Sequence, residues 1–136
     1  MSRAPARKAA TLRGDAGSAV VEFTLVSIVL TALFLAILQL GLALHVRNTL
    51  VASAAEGARF GANADRTAED GAARARTLIG EALSTRFAES VSAADDTVDG
   101  VPVVVVRVEA TLPVVGLLGP SRSLVVSGHA LDEGAQ

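Results

Sequence analysis

The sequence predicts an α+β chain: a long N-terminal transmembrane helix, then an amphipathic second helix packed on a small antiparallel sheet of about three strands. Three observations carry this. Residues 23–46 hold no formal charge with His45 neutral, and 18 of the 24 are apolar. Apolar residues recur between Ala75 and Phe87 at helical spacing, marking one face of an amphipathic helix. From Val104 to Leu112 apolar side chains alternate with Arg107, Glu109 and Thr111, the period of a half-buried strand.

Composition agrees. The chain has 136 residues, 51% hydrophobic but only 3% aromatic, with a mean hydropathy of +0.48. That is room for one domain, and apolar content without large core-filling side chains points to one concentrated apolar segment. The absence of cysteine removes disulfides, Cys-ligated metals and a thiol nucleophile. A net charge of −2 excludes a nucleic-acid binder that relies on neutralising phosphates.

Residues 1–17 form a basic leader. Arg3, Arg7, Lys8 and Arg13 face one acid, Asp15, while Pro5, Gly14 and Gly17 weaken any helix there. The apolar run from Phe23 to Val46 reaches roughly 36 Å as a helix, enough to cross a hydrocarbon core of about 30 Å. Thr24, Ser27 and Thr31 are tolerated within it because hydroxyls bond back to the helix, and Gln39 suits a neighbouring helix. From Asn48 onward seven arginines face twelve acids. The positive-inside rule therefore places the N-terminus in the cytoplasm and the C-terminal domain outside, with the chain a single-pass protein of the cytoplasmic (inner) membrane.

The helix is expected to run from Ser18 to Gly61, about 66 Å at 1.5 Å per residue. Ser53, Gly57 and Gly61 recur every four residues, a small-residue stripe that lets another helix approach closely; the same residues also suit a weakened helix end capped at Gly61 or Asn63. The expected organisation is thus a leader (1–17), a membrane helix with its continuation (18–62) and a small extracytoplasmic α+β domain (63–136). In that domain a second helix is expected over about Thr67–Glu89, opened by a capping box in which Asp70 replaces the usual Glu. A short strand near Ser90–Ala94 precedes the Asp99-Gly100 turn. The strand over Val104–Leu112 follows, then a loop over Pro113–Pro120 and a strand over 122–131, with Leu124, Val126 and Ala130 on one face. Asp132–Gln136 reads as a frayed tail.

The stretch with chemical content is Gly17-Ser18-Ala19-Val20-Val21-Glu22-Phe23-Thr24-Leu25. A carboxylate at the start of a membrane helix is costly beside hydrocarbon. It is either an interfacial first-turn acid favoured by the helix dipole or the partner of a new α-amine. Cleavage after Gly17 would expose that amine on Ser18, and Glu22 could pair with it in a neighbouring subunit.

A basic leader, glycine, four residues, glutamate and a hydrophobic helix resemble the prepilin-peptidase site of type IV pilins and pseudopilins. More narrowly, Gly17–Leu25 and the run Ala-Ala-Glu-Gly-Ala-Arg-Phe-Gly-Ala over 54–62 resemble TadE/TadG-like proteins of tight-adherence (Flp-type) pilus systems. The resemblance implies a pseudopilin-like component of pilus assembly and cell adhesion that is cleaved between Gly17 and Ser18. It implies prepilin peptidase, pilus subunits, an assembly platform and a secretion ATPase as partners. Ser18 stands where many type IV pilins carry Phe, and the membrane helix lacks the proline that would kink it.

Rival sites are weaker. Ala52-Ser53-Ala54 could be read as a signal-peptidase site releasing a secreted domain after Ala54, but the apolar run exceeds the 7–15 residues of a secretory core. The alternative in another class is an uncleaved single-pass protein with a partner-binding outer domain. Asp95–Gly100 partly mimics a calcium loop, yet Val106 stands where its last ligand would be Glu. His45 and His129 are isolated, and no GxSxG or P-loop motif occurs. No enzyme activity, metal, cofactor or small-molecule substrate is therefore expected.

Overall fold

A computed structural model describes residues 12–112 and 122–134. In chain order these form α1 (Leu12–Gly61), α2 (Ala68–Ala82), a 3-10 turn (Thr85–Ala88), β1 (Val91–Val98), β2 (Val101–Leu112) and β3 (Arg122–Leu131). The architecture is α+β, with the three strands in one antiparallel sheet of order β1-β2-β3. The expected loop over Pro113–Pro120 lies outside the described residues. The chain divides into two units between Leu38 and Gln39.

In the first unit the helix begins at Leu12, not at Ser18, so it takes in Gly14 and Gly17. Each glycine costs about 1 kcal/mol relative to alanine inside a helix. Helix propagation is favourable once nucleated, and the long run that follows carries no proline. From Val20 to Leu38 the large apolar side chains stand exposed, Phe23 at 75% and Phe34 at 64%. The described residues contain one helix long and apolar enough to cross a membrane, spanning Gly17–Gly61, and none of its apolar window is buried.

In the second unit α1 acquires a buried face. Val46, Leu50, Ser53, Ala54, Gly57, Ala58, Gly61 and Ala62 are buried, spaced three or four apart along one stripe. α2 runs back along this stripe so closely that no Cβ fits at Gly57, Gly61 or Gly71. A Cβ on Gly57 would stand 2.6 Å from the Gly71 carbonyl oxygen and 2.8 Å from the Ala75 Cβ. A Cβ on Gly61 would come within 2.9 Å of the Thr67 carbonyl oxygen.

Thr67 and Asp70 form the capping box of α2. The Asp70 N–H donates to Thr67 Oγ1 (3.2 Å), and the Thr67 N–H donates to Asp70 Oδ2 (2.9 Å). That backbone N–H, then the Thr67 hydroxyl, then the charge of Arg66 hold the Asp70 carboxyl below its usual range. A depressed native pKa stabilises the fold above the unfolded carboxylate range, and the contribution is lost as pH falls through the native value. Thr67→Ala should lower stability by about 1 kcal/mol. Urea titrations at neutral and acid pH should show Asp70→Asn removing part of the acid-side loss of stability.

α2 stops at Ala82, seven residues short of the expected Glu89. The Leu83 N–H still donates to the Ile79 carbonyl (2.9 Å), but Ser84 is extended. Hydroxyl side chains at Ser84 and Thr85 compete for backbone bonds and weaken a helix end. The break turns Phe87 into the core, where it is 5% exposed. Arg76 ties α2 to the sheet, donating to Glu69 Oε1 and to the Val91 carbonyl, both at 2.8 Å.

β1 and β2 are longer than their alternation predicts, meeting at Val98 and Val101. Asp99 (φ 52°) and Gly100 (φ 81°) supply the two positive φ angles of a tight hairpin whose twist matches the strands. That turn zips Asp95 and Asp96 into β1, although acids are poor strand formers. The inner face of the sheet presents Val91, Val106, Val108, Ala110 and Val126 to Leu50, Ala54, Ala75, Ile79 and Phe87. β3 crosses α1 at Gly128, where an added Cβ would run into the Ala54 and Ala55 backbone. Past β3, the Glu133 N–H donates to the Ala62 carbonyl (2.9 Å).

Candidate functional site

The first turns of α1 bring together the residues singled out by the sequence. Ser18 and Glu22 sit one turn apart, and Ser18 Oγ donates to Glu22 Oε1 at 3.2 Å. Both are exposed, as is Phe23 on the following position. Thr24 Oγ1 donates to the Val20 carbonyl (2.8 Å), so its hydroxyl is satisfied inside the helix. Glu22 is the last formal charge before Arg47; because α1 begins at Leu12, it lies beyond the first turn, which is where the helix dipole would favour an anion.

Gly17 differs from Gly57 and Gly61, the α1 glycines of the second unit's stripe. A Cβ there would meet nothing within 4 Å. Neither packing nor a positive φ requires glycine at this position, although it costs the helix about 1 kcal/mol. Gly57 and Gly61, in contrast, are held by close backbone contact with α2, and Ser53 is 6% exposed beside them. The small-residue stripe is thus occupied by elements of the same chain.

Sequence reasoning passed over two residues that complete this packing, Gly71 on α2 and Gly128 on β3, and had Ala75 only as part of the apolar face of α2. Gly128 carried a readable signal, since an isolated glycine within a strand marks a bulge or a close backbone approach. The two rival sites are placed as follows. Ala54 is fully buried in the core, and Asp95–Gly100 forms the hairpin end, with Asp96 Oδ1 accepting the Thr97 N–H at 2.7 Å. His45 and His129 are exposed.

A membrane-length apolar helix whose distal half is the spine of a small α+β unit defines a helix-anchored, membrane-associated class of protein. Residues 17–59, about a third of the chain, match the family model described as TadE-like protein, and this segment is similar to that family. The match starts at the glycine of the candidate site and stops two residues before the end of α1. No curated protein and no solved structure matches the chain.

Proposed function

We propose that the chain is a pseudopilin-like structural component in the assembly of a Flp-type (tight-adherence) pilus, processed by a prepilin peptidase between Gly17 and Ser18. The observation that carries this reading is the placement of Glu22. It is a lone carboxylate one turn beyond Ser18, at the head of an exposed, charge-free apolar helix within the TadE-like segment. Removal of residues 1–17 leaves an α-amine on Ser18. In a bundle of parallel, staggered helices that amine meets Glu22 of the neighbour, and the pair neutralises two charges that are costly beside hydrocarbon. The protein is then a substrate of the peptidase and a building block rather than an enzyme. Its N-terminus lies in the cytoplasm and its α+β unit outside the inner membrane, where it meets pilus subunits and the assembly platform.

The burial of Val46, Leu50 and Ala54 supports this reading over release by signal peptidase. Cleavage after Ala54 would strip all three from the core of the outer unit, and losing one buried Leu alone costs about 2–5 kcal/mol.

Coexpression with a prepilin peptidase, followed by intact-mass measurement, tests the proposal. The expected mass loss corresponds to residues 1–17, and Gly17→Leu should retain the full mass. An unchanged mass for the unsubstituted chain would favour the uncleaved single-pass reading, and a new N-terminus at Ala55 would favour the secreted one.

A further inference from the structure

The two hairpin ends of the sheet are chemically opposite. The β1–β2 end carries Asp99 in its turn, with Asp95 and Asp96 just behind it, opposite Val104 and Val103. Leu131 lies beside Val103 on the other side of β2, and the Asp132 N–H donates to the Pro102 carbonyl, so Asp132 and Glu133 stand at that same end. At the β2–β3 end Leu112 pairs with Arg122 and Thr111 with Ser123. The sequence holds no formal charge between Glu109 and Arg122. Thr111 and Ser123 are exposed, and Leu112 and Leu124 are half-buried against the core.

Contacts within the unit formed by residues 39–136 place these ends along α1. β3 passes Ala54 and Ala55 at Gly128, and further on the Glu133 N–H reaches the Ala62 carbonyl. The strand from Gly128 to Glu133, about 17 Å, thus accompanies the helix from Ala54 to Ala62, about 12 Å. The same pace taken back from Gly128 brings Ser123 level with about Arg47. Arg47 is the first formal charge after the apolar run, and the same unit contains the outer end of that run, with Leu40, Leu42 and Leu44 exposed at 62%, 57% and 50%. The uncharged hairpin end therefore lies where α1 leaves the apolar run, and the acidic end stands the length of β2 away, about 36 Å.

We propose that the β2–β3 end of the sheet rests on the lipid surface beside α1, so that the outer unit touches the membrane at two points. This rests on the membrane-anchored reading above. Charge decides which end faces lipid. Carboxylates are costly beside hydrocarbon, and the acids of the other hairpin are held at the far end. Uncharged apolar side chains gain by leaving water at the interface, in proportion to the area buried. Glu109, paired with Val125, is the sheet acid nearest the contact; it stands about 7 Å back from Thr111 along β2, where water and headgroups solvate it. A second point of contact also stops the unit from swivelling about α1, so its faces keep a fixed heading in the plane of the membrane.

The chain contains neither Trp nor Tyr, so a single introduced Trp reports its own position. The full-length protein carrying Ser123→Trp, Thr111→Trp, Leu44→Trp or Val98→Trp is reconstituted in phosphatidylcholine vesicles, with and without lipid that bears a nitroxide quencher on its headgroup. All four positions are exposed, so the indole displaces no core side chain, and far-UV circular dichroism checks each fold. Thr111 and Ser123 are cross-strand partners, so either variant suffices where the other misfolds. The expected result is loss of most of the emission from Leu44→Trp and from both hairpin-end variants, with Val98→Trp unaffected. Hairpin-end variants as bright as Val98→Trp, beside a quenched Leu44→Trp, would sink the surface contact and leave the anchor standing. An unquenched Leu44→Trp would sink the anchored reading itself. Quenching of Val98→Trp together with the others would mean that the unit lies lengthwise on the bilayer, which also overturns the proposal.

Discussion

Gly128→Ala is expected to destabilise the unit formed by residues 39–136 by about 3 kcal/mol, the upper end of the usual cost of overpacking a core. The added methyl would strike the backbone of Ala54 and Ala55, and backbone in mid-helix cannot rotate aside as a side chain tip would. Relief requires β3 to lift from α1, which opens the contact between Val126 and the α1 stripe. The chain has neither Trp nor Tyr, so far-UV circular dichroism during urea unfolding is the suitable measurement. Gly80→Ala is the control: its Cβ meets only Thr85 Cγ2, at 3.8 Å, and the helix gains up to about 1 kcal/mol. Equal stability of Gly128→Ala and the unsubstituted protein would mean that β3 does not cross α1 where the structure places it.

Glu22→Ala is expected to abolish fibre assembly while leaving membrane insertion and cleavage intact. The substitution removes a charge from the first turns of an apolar helix, so insertion becomes more favourable. The fold of residues 39–136 does not involve Glu22, whose hydrogen-bond partner is Ser18. On the proposed reading, what is lost is the anion that would face the Ser18 amine of a neighbouring subunit, and that amine would be left uncompensated at a cost of several kcal/mol in a low-dielectric setting. Sheared-fibre yield measures assembly, and the membrane fraction measures insertion. Normal fibres from Glu22→Ala would remove the pairing and with it the main reason for a carboxylate at this position.

The parts of this protein that were legible in the sequence are those set by local rules. The charge-free run over 23–46, the Thr67/Asp70 box, the Asp99-Gly100 turn and the alternation through Arg107 and Glu109 each arise from a period or a turn geometry a few residues long. The parts that escaped depend on neighbours distant in sequence. The helix over 68–82 ends where Phe87 is drawn into a core made by α1 and the sheet, and the alternation alone did not extend β1 through Asp95 and Asp96. At the candidate site, the order glycine, serine, glutamate and apolar helix was readable at once. The reason for Gly57 and Gly61 needed Gly71 and Ala75 on another element before close packing within the chain became visible.

The contact between Gly128 and the α1 stripe joins an early segment of the chain to its last strand. A ribosome makes Val46, Leu50 and Ala54 long before it makes β3, so the newly inserted helix holds out a naked apolar stripe while the rest of the domain is still being synthesised. Non-local closure of this kind is slow and leaves sticky surface exposed meanwhile. The domain is therefore unfinished until β3 is made, and that strand acts as the fastener that ends the period in which chaperones or proteases can reach the stripe.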